Sequence, residues 1–448
     1  MNETSAGEPA QLLTNGTIHS PSEPYADAMV VRDGLIAWVG ASDSAQARED
    51  IKLQVWDLDS ALVAPAFVGW VDLARSATER WATQDRATED TPTQDTPTQD
   101  IGSRTTEALN AAAALGHGAV RLSISCPVQH LESESELLTF LREAFAAAAV
   151  HPVRSYPVIT FTNLTALDTT ARFHAIEHGL TLLAQIDSLL GRPAALQLDF
   201  GDVREQLLEV RVLLAKASRQ LLLRVSEATI GEDAEGGEGA EAGESGGSAE
   251  LSDLKPTDVV AALVESTQQM RAQKLSTPGG LPTVLAGFDS AQRQDWETLL
   301  NTGVQVVLRG CGHLATALSV GVPISAVGAP GQNPWAVVND HVHHPQDPVS
   351  VRAGFNAQTR GAYRSMPETT GTPASSASLD TGARATYAVW EVDSLAVQTP
   401  DSRTAAWSTD VRARTPLLPY LDGETLPILL ATVIDGDTVH STTAQTPA

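Results

Sequence analysis

The stretch that decides the fold is Asp57-Leu58-Asp59-Ser60-Ala61-Leu62-Val63-Ala64-Pro65-Ala66-Phe67-Val68-Gly69-Trp70-Val71-Asp72-Leu73. An aspartate-flanked opening leads into an apolar run that begins at Ala61, crosses one proline and ends at Asp72. Such a run reads as a strand buried on both faces, as in parallel sheets, and its closing carboxylate marks where the strand emerges at a rim. Just upstream, 28–40 holds two apolar runs around Asp33-Gly34, a strong hairpin signal. The runs at 11–19 and 51–56 complete a small β unit with that hairpin.

Downstream, helical and strand patterns alternate in the way that specifies a parallel sheet. Helices are expected over 105–115, 134–148, 171–190, 203–217, 256–272, 291–300 and 313–319. Strands are expected over 119–124, 153–161, 194–200, 220–225, 282–288, 304–309 and 323–327. With the strand ending at Val68 this gives about eight strand–helix units, the number that closes a (β/α)8 TIM barrel of the α/β class.

Together, the hairpin, Ala61-Leu62-Val63-Ala64-Pro65-Ala66-Phe67-Val68 and the closing runs at 385–393 and 428–439 resemble the amidohydrolase superfamily. Gln332-Asn333-Pro334-Trp335, Ser350-Val351-Arg352-Ala353-Gly354-Phe355 and Thr359-Arg360-Gly361 resemble its type 3 branch. The resemblance implies a barrel flanked by a small β-sandwich built from both chain ends, and metal-dependent hydrolysis of non-peptide C–N bonds in amides or cyclic amides. It divides the chain into 1–60 (first part of the sandwich), 61–365 (barrel), 366–384 (linker) and 385–448 (second part of the sandwich).

Two segments interrupt the barrel. Thr91-Pro92-Thr93-Gln94-Asp95 repeats at once as Thr96-Pro97-Thr98-Gln99-Asp100, and 232–250 is almost wholly Gly, Glu, Ala and Ser. Polar low-complexity tracts bury too little apolar surface to order themselves, so both, at about 84–101 and 231–253, are expected as disordered insertions.

Composition bounds the partners. The 448 residues carry a formal charge of −26, with a pI near 4.7, which argues against nucleic acid and anionic membranes as partners, since both call for basic surface. No apolar run approaches the roughly 18 residues of a spanning helix, and the start of the chain shows no basic-then-apolar leader, so a cytoplasmic protein is expected. Cys126 and Cys311 lie far apart without CxxC spacing and are expected as buried free thiols.

The resemblance fails at the chemistry. In gapless register the superfamily's two first-strand histidines fall on Val71 and Leu73, and a one-residue slip puts Trp70 and Asp72 there instead. The fourth-strand lysine position holds Gln197, the fifth strand ends Leu223-Arg224-Val225-Ser226-Glu227, 283–288 has no ligand-type side chain, and the aspartate after the eighth strand is missing from 326–331. A hydrolytic zinc needs about three protein donors, so no cofactor is expected, and zinc only if the superfamily's chemistry persists.

Two further reactive sets remain. His341-Val342-His343, followed by His344, is expected as a helix-end or surface cluster and a weak alternative metal site; His174 and His178 are spaced i,i+4 on a helix without a third ligand. The acidic rim comprises Asp72, Asp199, Asp202, Glu227 and Asp289, of which Asp72, Asp202 and Asp289 are the candidate catalytic carboxylates, usable as an acid–base pair if burial separates them. Function therefore divides between a silent relative that keeps the barrel as a binding or scaffold module, with a small molecule at its mouth, and a hydrolase using rim carboxylates or a metal at His341 and His343.

Overall fold

The computed structural model describes residues 10–46, 53–73, 100–187, 193–225, 254–276, 280–367, 377–398, 407–408 and 415–442. The expected insertions lie outside these, apart from Asp100 and Ile101, and so does Glu227.

The chain opens with β1 (Gln11–Thr14), β2 (Thr17–Ile18), β3 (Ala28–Arg32), β4 (Leu35–Gly40), the short helix α1 (Ser42–Gln46), β5 (Gln54–Asp57) and β6 (Leu62–Pro65). The hairpin at Asp33-Gly34 forms as expected: β3 and β4 pair antiparallel, and the φ angles of 52° and 72° are the left-handed values that a tight hairpin turn requires. The apolar run from Ala61 is two strands rather than one. At Pro65-Ala66 the chain changes sheets, since proline has no N–H to continue a ladder, and β7 (Phe67–Asp72) begins a new sheet.

β8 (His117–Pro127), β9 (Arg154–Thr162), β10 (Ala195–Asp199), β11 (Leu221–Arg224), β12 (Val284–Ala286), β13 (Gln305–Leu308) and β14 (Ile324–Ala326) follow β7 in one eight-stranded parallel sheet, in chain order. The connecting helices include α2 (Ile101–Ala113), α3 (Glu134–Val150), α4 (Thr169–Ala184), α5 (Phe200–Val203), α6 (Leu207–Lys216), α7 (Pro256–Ala272), α8 (Arg293–Leu299) and α9 (Leu314–Val320). Their starts are fixed by side-chain caps where the sequence supplies them: Asp100 accepts from Ser103 N at 2.9 Å and Asp168 from Ala171 N at 2.8 Å.

Alternate strand residues point to opposite faces, and two apolar clusters record which face is which. Phe67, Leu122, Leu196, Leu223, Leu285, Leu308 and Ala326 belong to the large core shared with the helices. Trp70, Val158, Ala195, Leu222, Val284, Ala286, Val307 and Val327 form a separate buried cluster on the inner face. Because Trp70 of β7 and Val327, just past β14, share that cluster, the sheet curls until its ends approach, although no ladder joins β7 to β14 among the described residues.

Helices α10 (Pro334–Val342), α11 (Val351–Gln358) and α12 (Arg360–Arg364) follow, and Ala362 and Met366 pack with Val68, Ala119 and Tyr156 under the amino ends of the strands. The chain then returns to the first sheets through β15 (Tyr387–Glu391), β19 (Ile428–Ile434) and β20 (Asp437–Ser441), while β16 (Leu395–Gln398), β17 (Trp407–Ser408) and β18 (Leu418–Pro419) form a separate three-stranded sheet. A five-stranded sheet in the order β2-β6-β15-β19-β20 thus draws on both ends of the chain, and a buried cluster holding Leu13, Met29 and Ile36 with Val63, Tyr387 and Val433 joins it to the four-stranded sheet β4-β3-β1-β5. No helix among the described residues is long and apolar enough to cross a membrane.

Candidate functional site

Side chains at the carboxyl ends of parallel strands converge on one rim, here called the mouth. The inner-face register follows from Trp70: if it points inward, so does Asp72, while Val71 and Leu73 pack outward with the helices. The inward positions near the end of the first strand thus hold an indole and a carboxylate. Continuing around the mouth, the inward positions are Ser123, Thr160, Gln197, Asp199, Arg224, Ala286, Arg309 and Val327. Ser123 and Thr160 hydroxyls lie 3.2 Å apart, as two inward neighbours must.

Arginine dominates this rim. Arg224 donates through Nε and Nη2 to the two oxygens of Asp199 at 2.6 and 2.8 Å, a bidentate pair. Its guanidinium is held above its ordinary range first by that hydrogen bond, with Asp72 and Asp202 adding to the attraction and burial opposing it. Arg309 lies 4.3 Å above the centroid of Trp70, and burial lowers its pKa against the pull of Asp72 and Asp289. Beneath, fully buried Arg121 stands 5.6 Å from the same ring and donates to Ser365 O at 2.6 Å; burial brings its pKa down to about 10.

The three candidate carboxylates meet in this one electrostatic cluster, in unequal roles. Asp72 acts on both Arg224 and Arg309. Asp289 is a loop brace: it accepts from Arg309 N at 3.2 Å and Gly310 N at 2.9 Å, holding the turn after β13. Asp202 is buried, its carboxyl raised first by burial and then by Asp199, with Arg172 and Arg224 opposing. Arg172, for its part, donates to the carbonyls of Leu164, Leu167 and Asp202.

Arg309 went unassigned in the sequence reading, and Arg224 had no role beyond displacing a histidine. The signal was a shared pattern, three apolar residues capped by arginine: Leu221-Leu222-Leu223-Arg224 and Val306-Val307-Leu308-Arg309.

Among the described residues neither histidine set gathers a third His, Cys, Asp or Glu side chain around it. His341 is buried in the last turn of α10 and His343 is exposed at its end, donating through Nε2 to Leu421 O at 3.1 Å, so the surface cluster expected at 341–344 is split by the helix surface. His178 meets Glu134 at 2.9 Å and His174 meets Glu177 at 3.7 Å, both on the exterior. Cys126 is buried as expected; Cys311 is exposed instead, on the loop after β13, where its Sγ lies 3.3 Å from Asp340 O near the end of α10. Burial pushes the Cys126 thiol up to about 12 and the Cys311 thiol to about 11, which keeps both protonated.

Zinc, the metal that the resemblance implies, does not fit this rim. Imidazole, thiolate or carboxylate donors are required, and the inward positions offer an amide, two hydroxyls, two guanidinium cations and two carboxylates, of which Asp199 is bound to Arg224 and Asp72 is drawn to both Arg224 and Arg309. Among the described residues no three His, Cys, Asp or Glu side chains converge on a metal-sized point.

Solved structures of other proteins share this fold. N-isopropylammelide isopropylaminohydrolase from Burkholderia multivorans superposes with a TM-score of 0.58 at 14% identity, over 96% of this chain and 97% of that one. The zinc complex of atrazine chlorohydrolase from Arthrobacter aurescens gives 0.56 at 12% identity, over 97% of each chain. An amidohydrolase from a Sargasso Sea environmental sample gives 0.57 at 14% identity, over 97% of this chain and 93% of that one. No protein-family model and no curated protein matches the chain.

Proposed function

We propose that this chain is a degenerate amidohydrolase-type protein that has lost metal-dependent C–N hydrolysis and keeps its barrel as a small-molecule binding module. In this reading the curled sheet is the (β/α)8 barrel over 61–365, and the sheets at the chain ends are the accompanying sandwich. The fold likeness to triazine hydrolases and an amidohydrolase supports the ancestry. The observation that carries the loss is the Arg224–Asp199 pair: a bidentate guanidinium stands where the superfamily's fifth-strand imidazole would be. A resident cation beside Asp72 and Asp199 supplies the neutralisation that a metal would otherwise provide, and it repels one.

A second reading rests on Asp202. A buried carboxyl held above its ordinary range, first by burial and then by Asp199, has the kind of environment that acid–base catalysis uses. Assay of the purified chain against N-acyl amino acids, hydantoins, aryl amides and alkylamino-triazines separates the two. No turnover above background is expected. Turnover that disappears in both Asp72→Asn and Asp202→Asn would replace the silent reading with a metal-free carboxylate hydrolase.

A further inference from the structure

We propose that a cavity between β7, α2 and the 327–334 segment binds a small aromatic molecule carrying one hydrogen-bond donor, a phenol by chemical class, with His117 Nε2 as its acceptor. The cavity holds about 200 Å³ and lies where the first and last strands of the curled sheet fail to ladder. Small residues vacate the space: Ala108, Ala111 and Ala112 of α2 form one wall, and Gly69, Gly328 and Ala329 stand opposite or beside it. An apolar cavity of about 150 Å³ is enough for a benzene ring.

The polar fittings of this cavity leave one ring nitrogen in play. His117 lines it, and its Nδ1 sits 3.2 Å from the carbonyl oxygen of Ala112. A carbonyl can only accept, so Nδ1 carries the proton and Nε2 keeps the lone pair. The ring lies flat on the backbone of Gly69, where a Cβ would come within 3.0 Å of Cγ and Cδ2 and 3.1 Å of Cε1. It is thus held by its hydrogen bond at one edge and by a side-chain-free neighbour across its face. Burial keeps this imidazole neutral, down to about 4, consistent with an acceptor role at neutral pH.

Each of the two glutamines on the wall has one amide atom engaged by backbone. Gln332 Oε1 accepts from Ala329 N at 3.0 Å and Gln358 Nε2 donates to Pro334 O at 3.0 Å. Asp72 borders the cavity on the mouth side, where its charge is tied to Arg224 and Arg309. An apolar ring with a single O–H matches the apolar walls and the neutral acceptor that His117 presents.

Titration calorimetry of the full chain with phenol and with benzene tests this. Phenol is expected to bind about tenfold more tightly than benzene, the worth of one added hydrogen bond in a dry site. His117→Phe, which keeps a ring on Gly69, is expected to level the two affinities, and Ala111→Phe, a change at an exposed helix position, to abolish both. Should His117→Phe fail to fold, the ring ¹⁵N resonances of the unaltered protein decide: Nε2 of His117 is expected to shift with phenol and not with benzene. Equal binding of both probes, no binding of either at millimolar concentration, or full binding in Ala111→Phe would overturn the proposal.

Discussion

The guanidinium of Arg309 stacks on the indole of Trp70 at 4.3 Å, joining the end of one strand to the middle of another across the inside of the curled sheet. Trp70 is 5% exposed, so the cation sits on a ring that is already out of water. Such desolvated contacts are worth about 1–2 kcal/mol. A double-mutant cycle of Arg309→Gln and Trp70→Leu, followed by urea unfolding, is expected to return a coupling of about 1 kcal/mol. Additive single effects would show that the two merely adjoin.

Asp199→Asn tests the neighbouring pair. Its side chains are 23% (Asp199) and 40% (Arg224) exposed, so solvent screens part of the attraction. A loss of about 1 kcal/mol is expected, diminishing at high salt. Glu297→Gln is the control: its 3.7 Å contact with Arg293 is more than half exposed on both sides, and a change within about 0.5 kcal/mol is expected. Equal effects at the two sites would remove the mouth pair from any special role.

Acid sensitivity follows from imidazoles that burial holds neutral, His19, His117 and His341. Burial brings His19 and His117 from their usual 6.5 down to about 4, with hydrogen bonds to Leu417 and Ala112 only partly opposing it. Because the folded values are depressed, the native state favours the neutral rings. Their contribution is complete above pH 6.5 and is lost as pH falls from 6.5 toward 4, up to about 3 kcal/mol for each. Urea midpoints at pH 7.5 and 5.0 are expected to differ, and His19→Gln to narrow the gap. An unchanged gap in that variant would locate the acid sensitivity in other groups.

Deletion of 232–250 is expected to leave the melting temperature within about 3 °C, since a Gly/Glu/Ala/Ser tract of this kind contributes little apolar burial. A much larger fall would mean that the acidic segment packs on the rest of the protein.

The alternating strands and helices were legible because each strand is a short apolar run and each helix a longer amphipathic one. Which face of a strand looks inward was not. Val68, Trp70 and Val71 are all apolar, so the run at 61–73 carries no period-two signal, and whether Val71 and Leu73 or Trp70 and Asp72 occupy the inner face depended on packing around the whole sheet. The break at Pro65-Ala66 was hidden for the same reason: one apolar run serves two sheets. At the rim the carboxylates were readable as strand-end residues, but their division of labour was not. Asp289 turns to backbone N–H groups of its neighbouring loop, Asp199 is taken by Arg224, Asp202 is buried beside Arg172 and Arg224, and Asp72 acts on Arg224 and Arg309. Those partners come from strands up to 237 positions away (Asp72 to Arg309), a pairing that no local pattern encodes.

The exclusion of metal by arginine is decided most directly by elemental analysis. The chain, purified without a His tag, is equilibrated with excess zinc, passed through a desalting column and assayed for zinc, manganese and iron by plasma mass spectrometry. Well under one ion per chain is expected, because Arg224 and Arg309 already occupy the inward positions around Asp72. One tightly held ion per chain, lost in Asp72→Asn, would contradict the account and return the mouth to metal chemistry.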